Sequence, residues 1–485
     1  MAYYLGLDLG TSSLKALLVD DRQNPVATAH APLSVQRPHF GWAEQDPQSW
    51  IDATRAALAE LAAAAPEALS AVRGIGLSGQ MHGATLLGAD DVPLRPCILW
   101  NDTRSHLEAA ELDDDEARAI TGNIVFPGFT APKILWVARN EPQIRAALRR
   151  VLLPKDYLRL WLTGEALSDM SDSAGTAWLE TGARRWSARM LERCGLDETY
   201  MPGLVEGSAP AGQLRADRAA ELGLPAGIVV AGGAGDNAAS ACGVGVVRPG
   251  SGFVSLGTSG VLFTASADYS PAPETAVHTF CHALPGLWHQ MGVTLSAAGS
   301  LEWLSGVTQV KPAALAAAVA DAGLGEGPSR LLFLPYLSGE RTPHNDATVR
   351  GAFVGLSAET SQADLARAVM EGVAFSMRDC LEAGGDRTVR QLIAVGAGSR
   401  SQSWLQILAD TLGREIVLPA AGDYGAAFGA ARLGLCAAEA ADPAAVMIEP
   451  PVAQRFAPRP EATEAFDAAY KRYRLAYPVI RSLMV

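Results

Sequence analysis

The sequence predicts an α/β protein made of two related halves, and three observations carry that prediction. The chain has 485 residues, 49% of them hydrophobic and 19% charged, which is too long for one ordinary core and apolar enough to bury two large sheets. Its opening stretch, Tyr3 to Asp20, reads strand, tight turn, strand: Leu5 and Leu7, then Leu14, Ala16 and Leu18, alternate as half-buried strands do. The Leu-Gly-Thr-Ser string of that turn (Leu9 to Ser12) returns at Leu256 to Ser259, again between two apolar runs. A repeated motif in the same local context points to two halves of one duplicated fold.

The first turn brings together Asp8, Gly10, the hydroxyls of Thr11, Ser12 and Ser13, and Lys15. Such a turn can aim backbone N–H groups at a phosphate, and a carboxylate at the strand's end can hold a hydrated metal ion bound to that phosphate. By itself the stretch is also what an N-terminal hairpin with a polar turn looks like. In the second copy, Ser255 stands where the first has Asp8.

A formal charge of −13 argues against a nucleic-acid or anionic-membrane partner, since both need clustered Lys and Arg. Six cysteines without a C-x-x-C pair suggest neither a zinc site nor a disulfide framework and fit a reducing compartment. There is no basic and apolar secretory signal and no apolar run of about 18 residues, so a soluble cytoplasmic protein is expected.

Along the chain, Val26 to Ser34 reads as a third strand. Asp46-Pro47 caps a helix carrying Ile51, Leu58 and Leu61 on one face. Val72, Ile75 and Leu77 form a strand that runs into Gly79-Gln80-Met81-His82-Gly83, and a glycine-flanked polar loop after a strand is where α/β proteins place ligand groups. A lone histidine in such a loop is more often structural than catalytic. Pro96 to Trp100 reads as another strand, again followed by a short polar cluster, Asn101 to Arg104, with a plain core role open to Trp100, and the stretch from Glu108 to Trp186 is mostly helical.

Ile228 to Ala231 is a short buried strand. It leads into Gly232-Gly233-Ala234-Gly235-Asp236-Asn237 and a small-residue helix from Ala238 to Gly243. Asp236 could simply cap that helix, but the run of small residues before it exceeds what a cap needs and suits a base at the end of a phosphate-binding turn. Val246 to Gly252 reads as a domain boundary, dividing the chain into 1–245 and 246–485. In the second half, Leu331 to Leu337 is a strand and Ser361 with Asp364 forms a capping box for a helix to about Cys380. Leu392 to Val395 is a strand closed by Gly396-Ala397-Gly398-Ser399. Gln402 to Leu412 is a helix ended by Gly413, and Tyr424 to Ala431 is a small-residue helix able to pack closely on another helix.

In order, Asp-x-Gly-Thr-Ser, Gly-Gly-x-Gly-Asp-Asn, a second Gly-Thr-Ser and a glycine-rich adenosine-type turn match the pattern of the sugar kinase, actin and heat-shock chaperone superfamily. Within it the chain resembles the FGGY carbohydrate kinases. Gly128 to Asn140 and Gly351 to Glu371 match that family's two recognition stretches, the second through Gly351, Phe353, Gly355-Leu356, Asp364-Leu365, Ala368 and Glu371. Gly79 to Gly83, Trp100-Asn101-Asp102, Leu153 to Tyr157 and Ser338 to His344 resemble the xylulokinase branch. Glycerol kinases have an Arg-Glu pair where this chain has Met81-His82.

The resemblance implies two ribonuclease-H-like domains of the actin-like ATPase type facing a central cleft, ATP mainly on the second and a small-molecule sugar on the first. It leaves room for a homodimer. Residue by residue, it places Asp8 on Mg²⁺ and Gly10, Thr11, Ser12 and Lys15 on the first phosphate turn. Gly257, Thr258 and Ser259 fall on the γ-phosphate side, and Gly396, Ala397 and Gly398 on the adenosine loop. Met81, His82, Asp236 and Asn237 fall on the sugar site. Relatives commonly read Gly-Gly-Gly-Ala in the adenosine loop; the methyl of Ala397 is expected to alter the nucleotide's fit slightly. The implied reaction is phosphorylation of D-xylulose, with Asp236 taking the proton from the attacking hydroxyl. The alternatives are a kinase for ribulose, gluconate, fuculose or glycerol, and a nucleotide-driven switch of the actin or chaperone type. In the switch, Asp236 and the Met81-His82 loop have no evident use.

Overall fold

The computed structural model describes residues 1–484 apart from 324, 326, 386, 387 and 421–423. Two seven-stranded sheets organise it. The first holds β1 (Tyr3–Leu9), β2 (Ser13–Asp20), β3 (Pro25–Pro32), β4 (Val72–Gly79), β5 (Pro210–Gln213), β6 (Val229–Ala231) and β7 (Ala234–Gly235). Its order is β3-β2-β1-β4-β6-β5, with β7 continuing beside the end of β4. The second holds β8 (Gly252–Leu256), β9 (Gly260–Ser266), β10 (His278–Cys281), β11 (Trp288–Thr294), β12 (Gln391–Val395), β13 (Glu415–Pro419) and β14 (Val452–Phe456). Its order is β10-β11-β9-β8-β12-β13-β14.

The two sheets share one pattern of strand sense. β1 is antiparallel to β2 and β2 to β3, whereas β4 is parallel to β1 and β6 to β4, with β5 antiparallel at the edge. Likewise β8 is antiparallel to β9 and β9 to β11, β12 is parallel to β8 and β13 to β12, and β14 is antiparallel at the edge. The repeated Leu-Gly-Thr-Ser turns close the β1–β2 and β8–β9 hairpins, so the repeat read in the sequence is a repeat of architecture.

Helix α1 (Pro47–Ala64) starts as its cap predicts, with the Asp46 carboxylate accepting from Gln48 N–H. It lays Trp50, Leu58 and Leu61 against Leu5, Leu7 and Leu9 on one face of the first sheet. Further along lie α2 (Thr130–Asn140), α3 (Pro154–Thr163), α4 (Asp236–Val244), α5 (Gln362–Gly384), α6 (Gln402–Leu412) and α7 (Ala426–Glu439). α5 carries the expected Ser361–Asp364 capping box, and α6 ends at Gly413, whose φ of +61° favours glycine.

The other face of the first sheet is covered from the second half of the chain. α7 lies on it at backbone contact: a Cβ on Gly6 or Gly76 would come 1.9 or 1.8 Å from the carbonyl oxygens of Ala427 and Ala430. On its far side, a Cβ on Gly429 would come 1.8 Å from the Ala239 carbonyl oxygen in α4. The small residues of α7 thus serve a three-layer contact of sheet, helix and helix.

Several expected elements shift. The strand at Pro96 to Trp100 is only Cys97–Ile98, and that at Leu331 to Leu337 is only Leu332–Leu334, followed by Pro335, which has no N–H for a ladder. The helix expected from Ala238 begins two residues earlier. Gly235, paired with Gly79 in the sheet, is its N-cap, so Asp236 is the first helical residue and not the cap.

Candidate active site

The strands of the first sheet bring the site to one edge. Register pairing sets Lys15 beside Asp8, Asp8 beside Ser78 and Ser78 beside Ala234. The β1–β2 turn, the Gln80 to Gly83 loop after β4 and the start of α4 after β7 therefore leave the sheet together. The hydroxyl of Ser78 in this row is buried and makes no hydrogen bond.

A one-way chain of hydrogen bonds holds the first turn. The Trp100 indole N–H donates to Thr11 Oγ1 at 2.9 Å, and Thr11 Oγ1 donates to Gln80 Oε1 at 3.0 Å. Gln80 Nε2 donates to Gln45 Oε1 at 2.9 Å, and Gln45 Nε2 returns to the Thr11 carbonyl at 2.6 Å. Trp50 Nε1 also donates to Gln45 Oε1 at 3.0 Å. Both glutamines are buried, so each amide is oriented by its partners. Ser12 is left exposed at the tip.

Beside this turn, His82 sits in the left-handed region, φ +69°, and its carbonyl accepts from Thr130 Oγ1 and from the buried Lys133 Nζ at 2.8 Å. Its ring stacks on Phe129 at 4.7 Å. Nδ1 lies 2.6 Å from the Gly175 carbonyl oxygen; a carbonyl only accepts, so Nδ1 carries the proton. Burial pushes the imidazole down to about 3, leaving it neutral with a lone pair on Nε2, a geometry suited to accepting from a hydroxyl. Met81 packs on Gly235, where a Cβ would come 2.8 Å from its Cγ. Met81 thereby lies against the turn that carries Asp236.

Asp236 Oδ1 accepts from Asn237 N–H at 2.7 Å and Nδ2 at 2.9 Å. Burial, with the negative charge of Asp8 next, raises its carboxyl to about 6 despite those bonds. A carboxylate held there is a competent proton acceptor near neutral pH. Asp8 and Asp236, far apart in sequence, thus meet at one edge. Among the described residues no three His, Cys, Asp or Glu side chains cluster as a metal cage. One or two carboxylates at a phosphate turn fit a cation such as Mg²⁺, which keeps several waters and binds through substrate phosphates.

In the second half, three amides at the start of the helix Ala298–Thr308 hold the Gly257-Thr258 turn. Ala297 and Gly299 N–H donate to the Thr258 carbonyl at 2.8 and 3.1 Å, and Ala298 N–H to Gly257 at 2.8 Å. Thr258 and Ser259 are exposed. Gly396, with φ +89° and a Cβ position 2.8 Å from the Leu256 backbone, admits only glycine, and Gly398 packs on the Leu256 side chain. The adenosine-type loop thus adjoins the second turn. It opens on a cavity of about 550 Å³ lined by Ser240, Phe253, Val395, Gly396, Arg400 and Tyr424, among others, a size that suits a nucleoside. Ala397 is exposed and lies outside that lining. α4 links the two groups: Asp236 begins it, and Ser240, roughly 6 Å further along its axis, lines the cavity.

Family models for the N-terminal and C-terminal domains of the FGGY carbohydrate kinases match residues 3–243 and 252–438. The chain belongs to the FGGY family of carbohydrate kinases. It is 45% identical over 492 residues to the xylulose kinase of Escherichia coli strain K12, covering 99% of this chain and 100% of that one. A crystal structure from Brucella ovis described as a "xyloylose kinase" superposes with a TM-score of 0.96 at 61% identity, covering 99% and 100% of the two chains. That of xylulose kinase from Rhodospirillum rubrum does so at 0.91 and 30%, covering 99% of each. As an FGGY kinase the protein is an ATP-using sugar phosphotransferase of two related α/β domains. Among the described residues no helix is long and apolar enough to cross a membrane.

For an FGGY kinase, sequence reasoning missed a good part of the site's support. Trp100, open to a plain core role from the sequence, is 48% exposed and bonded to Thr11 in the first turn; the strand before it stops at Ile98. Gln45 was not singled out in the sequence. Its signal was weak: a polar residue just before a helix cap. The buried charges of α3 were also missed, although Lys155, Asp156 and Arg159 fall on a helix with Leu158, Leu160 and Leu162.

Proposed function

We propose that the protein phosphorylates D-xylulose with ATP to give D-xylulose 5-phosphate, in the xylose catabolism of the cytoplasm. The observation that carries this is the full-length likeness to xylulose kinases, 45% identical in one case and 61% in another. The six cysteines, all buried and unbridged, suit a reducing compartment. The same reading assigns the sugar, Mg²⁺ and phosphate side to 1–245 and the ATP side to 246–485.

In this mechanism Met81 and His82 seat the sugar, the neutral His82 accepting a hydroxyl through Nε2. Asp236, oriented by Asn237, takes the proton of the C5 hydroxyl as it attacks. Asp8 would hold the hydrated Mg²⁺, which supplies charge neutralisation at the phosphates of ATP. The N–H groups of Thr11 and Ser12, with Lys15, and those of Gly257, Thr258 and Ser259 hold phosphate oxygens from opposite halves, while the Gly10 N–H closes the first turn on the Ser13 carbonyl at 3.0 Å. Gly396, Ala397 and Gly398 border the adenosine. The fixed tautomer of His82 and the raised Asp236 carboxyl divide the work: one group accepts a hydrogen bond, the other a proton.

The test is ADP release measured over D-xylulose, D-ribulose, gluconate, fuculose and glycerol. D-xylulose should give the highest kcat/KM. A tenfold preference for another sugar would reassign the substrate, and ADP release indifferent to all of them would point to the conformational switch.

A further inference from the structure

Beneath the catalytic edge lies a cluster of five buried charged side chains. Lys155, Asp156 and Arg159 of α3 and Asp169 and Asp172 from the segment after it are all fully buried. Lys155 Nζ is 2.7, 2.6 and 3.0 Å from carboxylate oxygens of Asp156, Asp169 and Asp172, and Arg159 is 2.9 Å from Asp156. Burial, then its acidic neighbours, pushes Asp172 well above the usual carboxyl range.

A buried ionic cluster is poor value for stability alone, because desolvation offsets most of the attraction. This one reaches both ends of the Gly232 to Gly235 turn. Arg159 donates to the Gly232 carbonyl. Asp169 Oδ2 accepts from Ser171 Oγ at 2.5 Å, and Ser171 Oγ in turn accepts from Gly235 N–H at 3.1 Å. Gly235 is the N-cap residue immediately before Asp236. The same cluster also touches the sugar loop's root: a Cβ on Gly79 would come 3.1 Å from Lys155 Cβ.

We propose that the Lys155–Asp156–Arg159–Asp169–Asp172 cluster is a positioning device for catalysis, which clamps the Gly232–Gly235 turn through Arg159 and Ser171 and so sets where Asp236 meets the sugar hydroxyl. It rests on Asp236 as the base. None of the five side chains need touch substrate; they act through two backbone groups of the turn. A misplacement of about 1 Å in a reacting group can cost roughly a hundredfold in rate, which is the scale at stake.

Ser171→Ala removes the acceptor of the Gly235 amide without unpairing a buried charge. With D-xylulose and ATP it should lower kcat by about tenfold to a hundredfold and leave the sugar KM within about threefold. In an Asp236→Asn background the same change should cost less than about twofold, because the group it positions is gone. Wild-type turnover in folded Ser171→Ala, or an equal loss in both backgrounds, would overturn the proposal. If Ser171→Ala does not fold, Arg159→Lys, which keeps the charge but not the forked reach to Gly232, is measured in the same cycle. Near-normal turnover of Asp236→Asn alone would instead remove the base assignment, and the positioning role with it.

Discussion

Replacing Asp236 by Asn should cripple the enzyme and stabilise it at the same time. The carboxyl is raised from 3.8 to about 6, first by burial and then by the charge of Asp8, which corresponds to roughly 3 kcal/mol of stability withheld while both folded and unfolded states are ionised. The sign follows from proton binding. As pH falls through about 6 the folded protein takes up its proton before the unfolded chain does, so the penalty is relieved, and below the unfolded value of 3.8 it is gone. Asp236→Asn carries no charge to desolvate and keeps a side-chain oxygen for the Asn237 amide. Its thermal midpoint should exceed wild type at pH 7.5, by the equivalent of about 1–3 kcal/mol, and the gap should close towards about pH 4. Loss of the base should lower kcat by about 10²–10⁴-fold. The assays are thermal melts from acid to neutral pH and coupled ADP release on the same preparations. A lower midpoint at neutral pH would refute the desolvation argument, and near-normal turnover would refute the base.

Three further expectations follow from single contacts. Gly76→Ala drives a methyl to 1.8 Å from the Ala430 carbonyl oxygen and should cost about 1–3 kcal/mol or more by overpacking; an unchanged thermal midpoint would show that α7 shifts freely on the sheet. Trp100→Phe loses the bond to Thr11 Oγ1 but little burial, so kcat/KM should fall about fivefold with melting unchanged; a large drop in melting temperature would make Trp100 structural. His82, pushed down to about 3 by burial, stays neutral across ordinary assay pH. The acid limb of kcat/KM, near about 6, should therefore persist in His82→Asn, and a limb that vanishes would transfer that titration from Asp236 to His82.

The legible parts of this protein were those set by near neighbours. Asp46-Pro47, Ser361 with Asp364, and Gly413 marked helix ends that the structure keeps, because capping is decided within one turn of chain. Alternating leucines marked β1 and β2 in the same way. The strand at Pro96 to Trp100 was overextended, since apolar residues in a short run do not tell where pairing stops. Asp236 was singled out from the small residues before it, yet its place as first helical residue came from Gly235 pairing with Gly79, a contact no local pattern announces.

The sequence by itself determined the duplicated turn, the motif order that marks an FGGY kinase, and the residue types at the site. These depend on backbone turn chemistry and on periodicity, both written in consecutive residues. Tertiary structure alone decided that Asp8 and Asp236 converge, because β1 and β7 both pair with β4, and that the carboxyl of Asp236 is raised. It also decided that Trp100 bonds to Thr11 in the first turn, that α7 covers the opposite half's sheet, and that five buried ionisable side chains reach the turn before Asp236. Burial and electrostatic coupling act through space, and the space was made by strands and helices far apart in the chain.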